Sequence, residues 1–552
     1  MGRNEIIRSI FLILLISLPL FFFRLDTPGL TDRDEGSFSE ATREMLESGN
    51  WLTPKFNYNN RFDKPILIYY VMALPYKLFG INEFAARFHS AFFGTLLLLL
   101  VFFFVKDLKG IRTALLSSVI LASNLAIVIL SRAAITDMVL IFLITASLFS
   151  FYKGLWIDRK WSWGFYIFSA LAVLTKGPVG IIIPLLVIIL YLISLRGKGN
   201  LKELHLLGGT SLFLLISLPW FLIMLVIHGN EYIEAAKYHT LTRYSSVIGG
   251  HGGMIFYYIP VILIGFFPWS AFLPASIYYA IKESWKRRWE SGGHSLFVFS
   301  IIWILVVFVF FTSSKTKLPH YIGPLFPPMA ILVADLIDRY ISEERIAGVN
   351  FKGWVKVSLY IGGILGVLFS AVLATAGVLS HRIVDIISKE IPVIDVDFLD
   401  NLFIISAIIF IGTLSFICLS IKGAKRTSIA FLVIMMVIMI PAMMLTIVPT
   451  VDSLFLAPQR RIAAFAGLNL RENERFIVFG FYRPTLVFYS KRKVVFIRNE
   501  DVDKLRKELS QPGNVFVLCR ESSMKKLESE GERLKLISRE NGYILLSNEK
   551  SG

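Results

Sequence analysis

Uncharged apolar runs recur from one end of the chain to the other, and no soluble fold has room for all of them. Phe92 to Val105 and Ile429 to Met444, for example, contain no charged residue. In water each run would have to be wrapped on every side, whereas in a bilayer the hydrocarbon is itself the solvent. Composition agrees: 55% of the 552 residues are hydrophobic and 18% are charged, against roughly 25% charged in soluble domains. The chain reads as a polytopic α-helical membrane protein.

A helix needs about 20 apolar residues to cross the hydrocarbon core. On that length the expected spans are 8–23, 84–105, 113–130, 134–151, 163–175, 178–195, 206–227, 255–280, 295–312, 321–337, 355–379, 401–421 and 428–449, thirteen in all. The first follows Arg3 and Arg8 and runs into Arg24-Leu25-Asp26 without a small-residue cleavage site, so it reads as an uncleaved helix. Ile66 to Phe79 is apolar but short and contains Pro75, which suits a helix lying at the interface.

A net charge of +17 invites a nucleic-acid reading, but its distribution excludes one, because most Lys and Arg sit in short loops between spans. With the N-terminus in the cytoplasm, the cytoplasmic loops are 106–112, 152–162, 196–205, 281–294, 338–354 and 422–427. All are basic, from Lys106, Lys109 and Arg112 through Lys153, Arg159 and Lys160 to Lys422, Lys425 and Arg426, which is the positive-inside pattern. Such loops also suit anionic membrane lipid as a partner. An odd number of spans places the C-terminal region on the outer face of a plasma (inner) membrane. There the pattern changes: Phe476–Phe479, Val494–Ile497 and Val515–Leu518 are β-type runs alternating with helical segments at Val502–Leu509 and Met524–Glu530. The expected organisation is a membrane domain over 1–451, with a long first outer loop at 24–83, and a small α/β domain over 452–552. Cys418 lies in an expected span and Cys519 in the soluble part, so no disulfide joins them.

Chemistry-bearing residues gather in the outer loops. Asp34 and Glu35 open a helical stretch, Ser37 to Ser48; they suit a general base or a cation site, and equally well the acidic start of a helix. Lys64, in Arg61-Phe-Asp63-Lys64-Pro65, suits a lipid phosphate or a snorkelling anchor. Asp137 starts the fourth span, Lys176 sits in a tight turn before Gly177-Pro178, and Lys315, Lys317 and His320 crowd Ser313–Tyr321. The outer loop 228–254 carries His239, Arg243, Tyr244 and His251; His251 suits either a metal ligand or a solvated loop. The sides were set by Lys and Arg in the inner loops, yet Asp34, Glu35, Lys64, Asp137, Lys176, His251, Lys317 and His320 all fall on the outer one. Carboxylates and cations at one face of a bilayer suit a site that handles a lipid-linked phosphate.

The chain resembles the GT-C membrane glycosyltransferases that use polyprenyl-phosphate sugars, above all the bacterial 4-amino-4-deoxy-L-arabinose lipid A transferases, relatives of the protein O-mannosyltransferases. The stretches that carry the resemblance run in order along nearly the whole chain: Asp34–Met45, Phe62-Asp-Lys-Pro65, Asn82–Arg87, Ile135-Thr-Asp137, Leu174–Pro178, His251 leading to Pro260 and Pro268-Trp-Ser270, and Lys317-Leu-Pro319 with Tyr321 and Pro324. The resemblance implies about 13 transmembrane helices with a C-terminal outer domain. It implies Asp34 and Asp137 as catalytic aspartates, Lys64, Lys176 and Lys317 around the donor phosphate, and Glu35, His320 and Tyr321 as further site residues. It also implies a possible divalent metal on Asp63 and His251. The chain departs from the family at Asp63, where Glu is usual, and at Gly36-Ser37-Phe38, where Arg-Tyr is common after the acidic pair.

The expected function is inverting transfer of a sugar from a polyprenyl-phosphate donor to a glycolipid such as lipid A, or to a protein acceptor as in the protein O-mannosyltransferases. A lipid-linked sugar flippase is the competing reading. It suits ionisable residues near mid-membrane and repeated halves, and neither feature is present in the sequence.

Overall fold

The computed structural model describes residues 3–195, 204–248, 250–287, 295–343, 351–379, 401–529 and 534–548. Arg196, Lys198, Lys202, Arg288 and Arg345 of the expected inner loops, Gly249 and the end of the expected helix at Glu530 lie outside the described residues, as do the side chains of Lys286, Arg287 and Lys352.

The first ten helices are α1 (Arg3–Ser17, continuing to Phe22), α2 (Asp34–Ser48), α3 (Leu67–Phe79), α4 (Glu83–Lys109), α5 (Ile111–Ala122), α6 (Leu125–Ser131), α7 (Asp137–Trp156), α8 (Ser162–Lys176), α9 (Val179–Ser194) and α10 (Leu206–Lys237). Among the described residues nine helices are long and apolar enough to cross a membrane, or eleven when two bent pairs are each counted as one span. The chain is a multi-pass membrane protein. All thirteen expected segments are helical, and the differences lie in breaks and lengths. The third segment divides into α5 and α6 at an angle of 67°, because the Asn124 side chain accepts from the Ile127 amide at 3.0 Å and caps a new helix there. The eighth divides into Tyr258–Gly265 and Trp269–Glu283 at 111°, with Pro268, which has no amide proton for the ladder, in the break. Helices α8 and α9 have 15 and 16 residues, at most about 24 Å of rise, which is short of the ~30 Å core.

Polar contacts divide the ends of the helices into two sets. At one end Lys109 pairs with Asp335 at 3.2 Å, Arg112 with Asp338 at 3.1 Å, Lys153 with Asp107 at 2.7 Å and Lys425 with Glu343 at 2.9 Å. All of them but Asp335, near the end of the expected span 321–337, belong to the expected inner loops. At the other end Arg132 donates to the carbonyls of Leu20, Phe23 and Arg24, and Lys176 meets Asp137 at 2.7 Å. The expected outer residues therefore do share one end.

Beyond that end lies the C-terminal α/β unit. Strands β3 (Arg475–Phe479), β4 (Val494–Ile497), β5 (Val515–Arg520), β6 (Lys535–Glu540) and β7 (Tyr543–Ser547) follow the short hairpin β1–β2 (Lys55–Phe56, Asn59–Asn60) in sequence. They form one sheet in the order β4-β3-β5-β7-β6, parallel across β3–β4 and β3–β5 and antiparallel elsewhere. The sequence shows β3, β4 and β5 because buried parallel strands are continuously apolar. Edge strand β6, Lys-Leu-Ile-Ser-Arg-Glu, is half exposed, and the sequence reading passes over it and its partner β7.

The sheet unit is stitched to the first outer loop. Asp32 accepts from Arg483 at 3.0 Å and from the amide and hydroxyl of Thr485 at 3.0 and 2.9 Å. Gly29 donates to Asp452 at 2.8 Å, Leu30 to the Tyr489 hydroxyl at 2.7 Å, and Asn57 exchanges two bonds of 2.8 Å with Val494. A Cβ on Gly36 would come within 2.7 Å of the Thr485 backbone, so the chain has glycine where the family pattern carries a long side chain.

Helix α2 buries an unusual amount of charge. Arg43 donates to both Glu40 oxygens at 2.8 and 2.7 Å and to Glu47 at 2.7 Å. Glu44, 2% exposed, accepts the Tyr58 amide on one oxygen at 2.9 Å; among the described residues its other oxygen has no hydrogen-bond partner. Burial, and after it the charge of Glu40, push the Glu44 carboxyl up to about 8. A carboxyl whose folded pKa is raised favours folding fully below its unfolded value near 4.5, and that contribution is lost as pH rises through about 8. Thermal unfolding in detergent should therefore show a lower midpoint at pH 9 than at pH 6, and Glu44→Gln should flatten the difference; an equal slope in the variant refutes the assignment.

Candidate active site

Helix α2 starts at Asp34, three residues earlier than expected, which places both acidic residues in its first turn, where negative charge suits the helix dipole. They then part: Asp34 is exposed and Glu35 is 5% exposed. Both Glu35 oxygens accept from Arg87 of α4 at 2.9 Å. Oε1 also takes the Ala134 amide at 2.7 Å, and Oε2 the amide and hydroxyl of Thr31 at 2.9 and 2.8 Å. Burial works against this carboxylate, but Arg87 and the donated bonds outweigh it and hold it at about 2. Glu35 is thus a tie between the loop, α4 and the turn before α7.

That turn delivers Asp137 as the first residue of α7. The last residue of α8, Lys176, reaches its Oδ1 at 2.7 Å and lies 5.0 Å over the Tyr321 ring. Gly177 follows at φ 77°, a left-handed conformation that costs glycine little and lets α9 start at once. From the first outer loop, Lys64 donates to the Asp63 carbonyl at 2.9 Å. Burial, with the charges of Arg243 and Lys176, outweighs Asp63 and Asp34 and lowers the Lys64 ammonium to about 8. Asp34, Asp137 and Arg243 all lie within electrostatic range of both His320 and Tyr321.

Arg243 is the group the sequence reading gave no role. Helix α10 kinks at Gly229, φ 52° and ψ −124°, and its last two turns lie over the first outer loop. His228 meets the Thr53 hydroxyl at 2.9 Å, and the Phe62 ring packs against His228 and Tyr232. The strap after it is pinned to the 313–317 turn: Lys315 donates to the Tyr244 carbonyl at 3.0 Å and Thr316 to that of Ser246 at 2.7 Å. Arg243 stands 5.8 Å over the Tyr321 ring, and its Nε is buried without a hydrogen-bond partner among the described residues. Only the kink brings it near Lys64; its sole signal in sequence is a cation in a long outer loop.

Lys64, Lys176, Arg243 and Tyr321 line one cavity of about 650 Å³ whose other walls include Leu140, Val179, Ile182, Phe310 and Phe311. Three cations on the wall of a mostly apolar chamber suit an amphiphile with an anionic head. Lys317 is not on this wall: its buried ammonium donates to the Ser314 carbonyl, so Arg243 supplies the third cation.

The expected metal pair does not form a coordination site. The Asp63 carboxylate is engaged by Arg61 at 2.7 Å; burial opposes its charge, and Arg61 and Lys64 hold it down at about 2. His251 is exposed, and the imidazole within electrostatic range of Asp63 is that of His239, brought there by the same kink. Among the described residues no three His, Cys, Asp or Glu side chains gather as ligands. A carboxylate neutralised by arginine with one imidazole nearby is a poor fit to a divalent cation.

A family model described as dolichyl-phosphate-mannose-protein mannosyltransferase matches residues 11–233. An undecaprenyl phosphate-alpha-4-amino-4-deoxy-L-arabinose arabinosyl transferase of Edwardsiella ictaluri is 31% identical over 373 residues, 66% of this chain and 65% of that protein. A protein of Aquifex aeolicus is 33% identical over 345 residues, 62% of this chain and 76% of the relative. The crystal structure of ArnT from Cupriavidus metallidurans bound to undecaprenyl phosphate superposes with a TM-score of 0.82 over 98% of both chains at 23% identity, a likeness of fold. The chain belongs to the GT-C membrane glycosyltransferases of the arabinosyl-transferase and protein-mannosyltransferase type. It spans 64% to 65% of the length of three of the curated relatives it matches.

Removing one partner of a buried ion pair leaves an uncompensated charge, at a cost of about 3–5 kcal/mol. Arg87→Met should therefore destabilise the protein by about that much, and Arg87→Met with Glu35→Met should recover part of the loss. A double variant less stable than Arg87→Met, in detergent unfolding, argues against the pair as the tie.

Proposed function

We propose that this protein transfers a sugar from a polyprenyl-phosphate donor to an acceptor at the end of the bundle away from the basic loops, with inversion at the anomeric carbon. The observation that carries the reading is the meeting of Lys64, Lys176 and Arg243 on one mostly apolar cavity. The donor's isoprenoid chain occupies the apolar part, and its phosphate meets the three cations. The acceptor oxygen attacks the anomeric carbon from the opposite side, the bond from that carbon to the phosphate oxygen breaks, and polyprenyl phosphate leaves with the electron pair. The fixed cations stabilise the charge that grows on it.

Asp34, exposed at the mouth, takes the proton when the acceptor is a hydroxyl and orients the acceptor when it is an already ionised phosphate. Asp137 holds Lys176, and Tyr321 and His320 close the wall beside it. The names of the relatives support an undecaprenyl-phosphate donor and a pentose of the aminoarabinose type; a lipid A-like glycolipid is the acceptor we favour over protein. Residues 1–451 carry the reaction, and 452–552 hold the first outer loop in place. The basic end faces the cytoplasm of an inner membrane by the positive-inside rule, so transfer occurs on the opposite side.

With purified protein and a polyprenyl-phosphate sugar, Arg243→Ala and Lys176→Ala should each lower turnover by about 10²–10³. Asp34→Asn should abolish transfer to a hydroxyl acceptor while sparing part of the transfer to a phosphate acceptor. Wild-type turnover in Asp34→Asn on every acceptor would sink the role given to that carboxylate. Because the Lys64 ammonium is lowered to about 8, kcat/KM should fall as pH rises through that value, and Lys64→Arg, whose charge does not titrate there, should move the fall to higher pH. An unmoved alkaline limb would remove Lys64 from the phosphate site.

A further inference from the structure

A second crevice, of about 700 Å³, lies at the other end of the molecule, between α1, α5 and the helix Lys425–Leu445. Its walls are apolar, among them Leu12, Leu116, Val433 and Val437, and Trp269 closes its deep end. The Trp269 indole already donates to Ser123 at 3.0 Å, which leaves the floor with no free donor. The charged residues on the lining are Arg112 and Arg426, both exposed and both at the basic rim. Arg112 shares Asp338 with the Thr113 hydroxyl, and among the described residues Arg426 has no ion pair.

Two properties define the occupant. From Arg426 to Val437 the groove follows its helix for about 16 Å, close to half of a hydrocarbon core of about 30 Å: one leaflet deep, no more. Each arginine also sits in the first turn of its helix, where positive charge opposes the dipole; Asp338 relieves this at Arg112, and an anion between the two would relieve it at Arg426. An occupant apolar along one leaflet and anionic at its surface is a lipid. A second copy of this chain would need a flat contact, and a narrow groove ending in two guanidinium groups offers none.

We propose that this crevice binds one anionic glycerophospholipid from the leaflet opposite the candidate active site, its phosphate between Arg112 and Arg426 and one acyl chain lying along the groove toward Trp269. The site is independent of the transfer chemistry and shares none of its residues.

Native mass spectrometry of the purified full chain, titrated with phosphatidylglycerol or phosphatidylcholine, tests this. The wild type should retain phosphatidylglycerol preferentially. The double variant Arg112→Gln, Arg426→Gln should lose roughly fivefold per arginine, about twenty-five-fold in all. Ala430→Phe, which fills the groove without changing charge, should lose retention of both lipids, and Arg159→Gln with Lys160→Gln, elsewhere on the basic rim, should change nothing. Equal retention of the two lipids by the wild type overturns the proposal. So does unchanged binding in Ala430→Phe, or a shift of the variants from dimer to monomer with no change in bound lipid.

Discussion

A carboxylate and a guanidinium leave water together where the first outer loop meets the bundle, and the rest of the site depends on how completely they satisfy each other. Arg87 gives Glu35 two bonds and turns its remaining donors to the carbonyls of Leu25, Pro28 and Gly29. A buried pair is tolerable only when every donor and lone pair is met in this way. The arrangement fixes the start of α2, hence the direction in which neighbouring Asp34 projects. Through the Ala134 amide it also fixes the turn that ends at Asp137. Two carboxylates a hundred residues apart are set by one buried ion pair that does not line the cavity.

The cavity beside them is divided in its chemistry. Phe310, Phe311, Val179 and Ile182 belong to helices that lipid would solvate, while Lys64, Lys176 and Arg243 reach it from a loop, a helix end and a strap. Apolar walls make each cation's field stronger than it would be in water and make crowding the cations costly, which is why the Lys64 ammonium is lowered toward neutrality. A phosphate entering the chamber, as proposed for the donor, would relieve that crowding. Asp137 restrains it meanwhile by holding Lys176.

What the sequence told and withheld follows from what each feature depends on. Apolar runs report a solvent, so every expected span is helical, though two are broken into bent pairs. The alternation of basic loops reports which ends belong together, so Asp34, Lys64, Asp137, Lys176, His320 and Tyr321 come to one end as anticipated. Features that depend on a single backbone angle or on tertiary competition were silent. Gly229 reads as one more residue in a long apolar segment, yet its φ of 52° brings Arg243 and His239 into the site. Lys317 has the right neighbours in sequence, but the Ser314 carbonyl claims its ammonium. Gly36 departs from the family pattern for a reason visible only once Thr485 is seen against it.

The loop bearing Asp34 is fastened by Asp452, Arg483, Thr485, Tyr489 and Val494, all of them more than four hundred positions later in the chain. Synthesis runs from the N-terminus, so the earliest extramembrane segment, held at first by bonds to Arg87 and Ala134, must wait for the last portion to fold. A chain interrupted near its end would carry every span and every charged group of the cavity and still lack a finished mouth. The last segment to be made is thereby the one that completes the first loop.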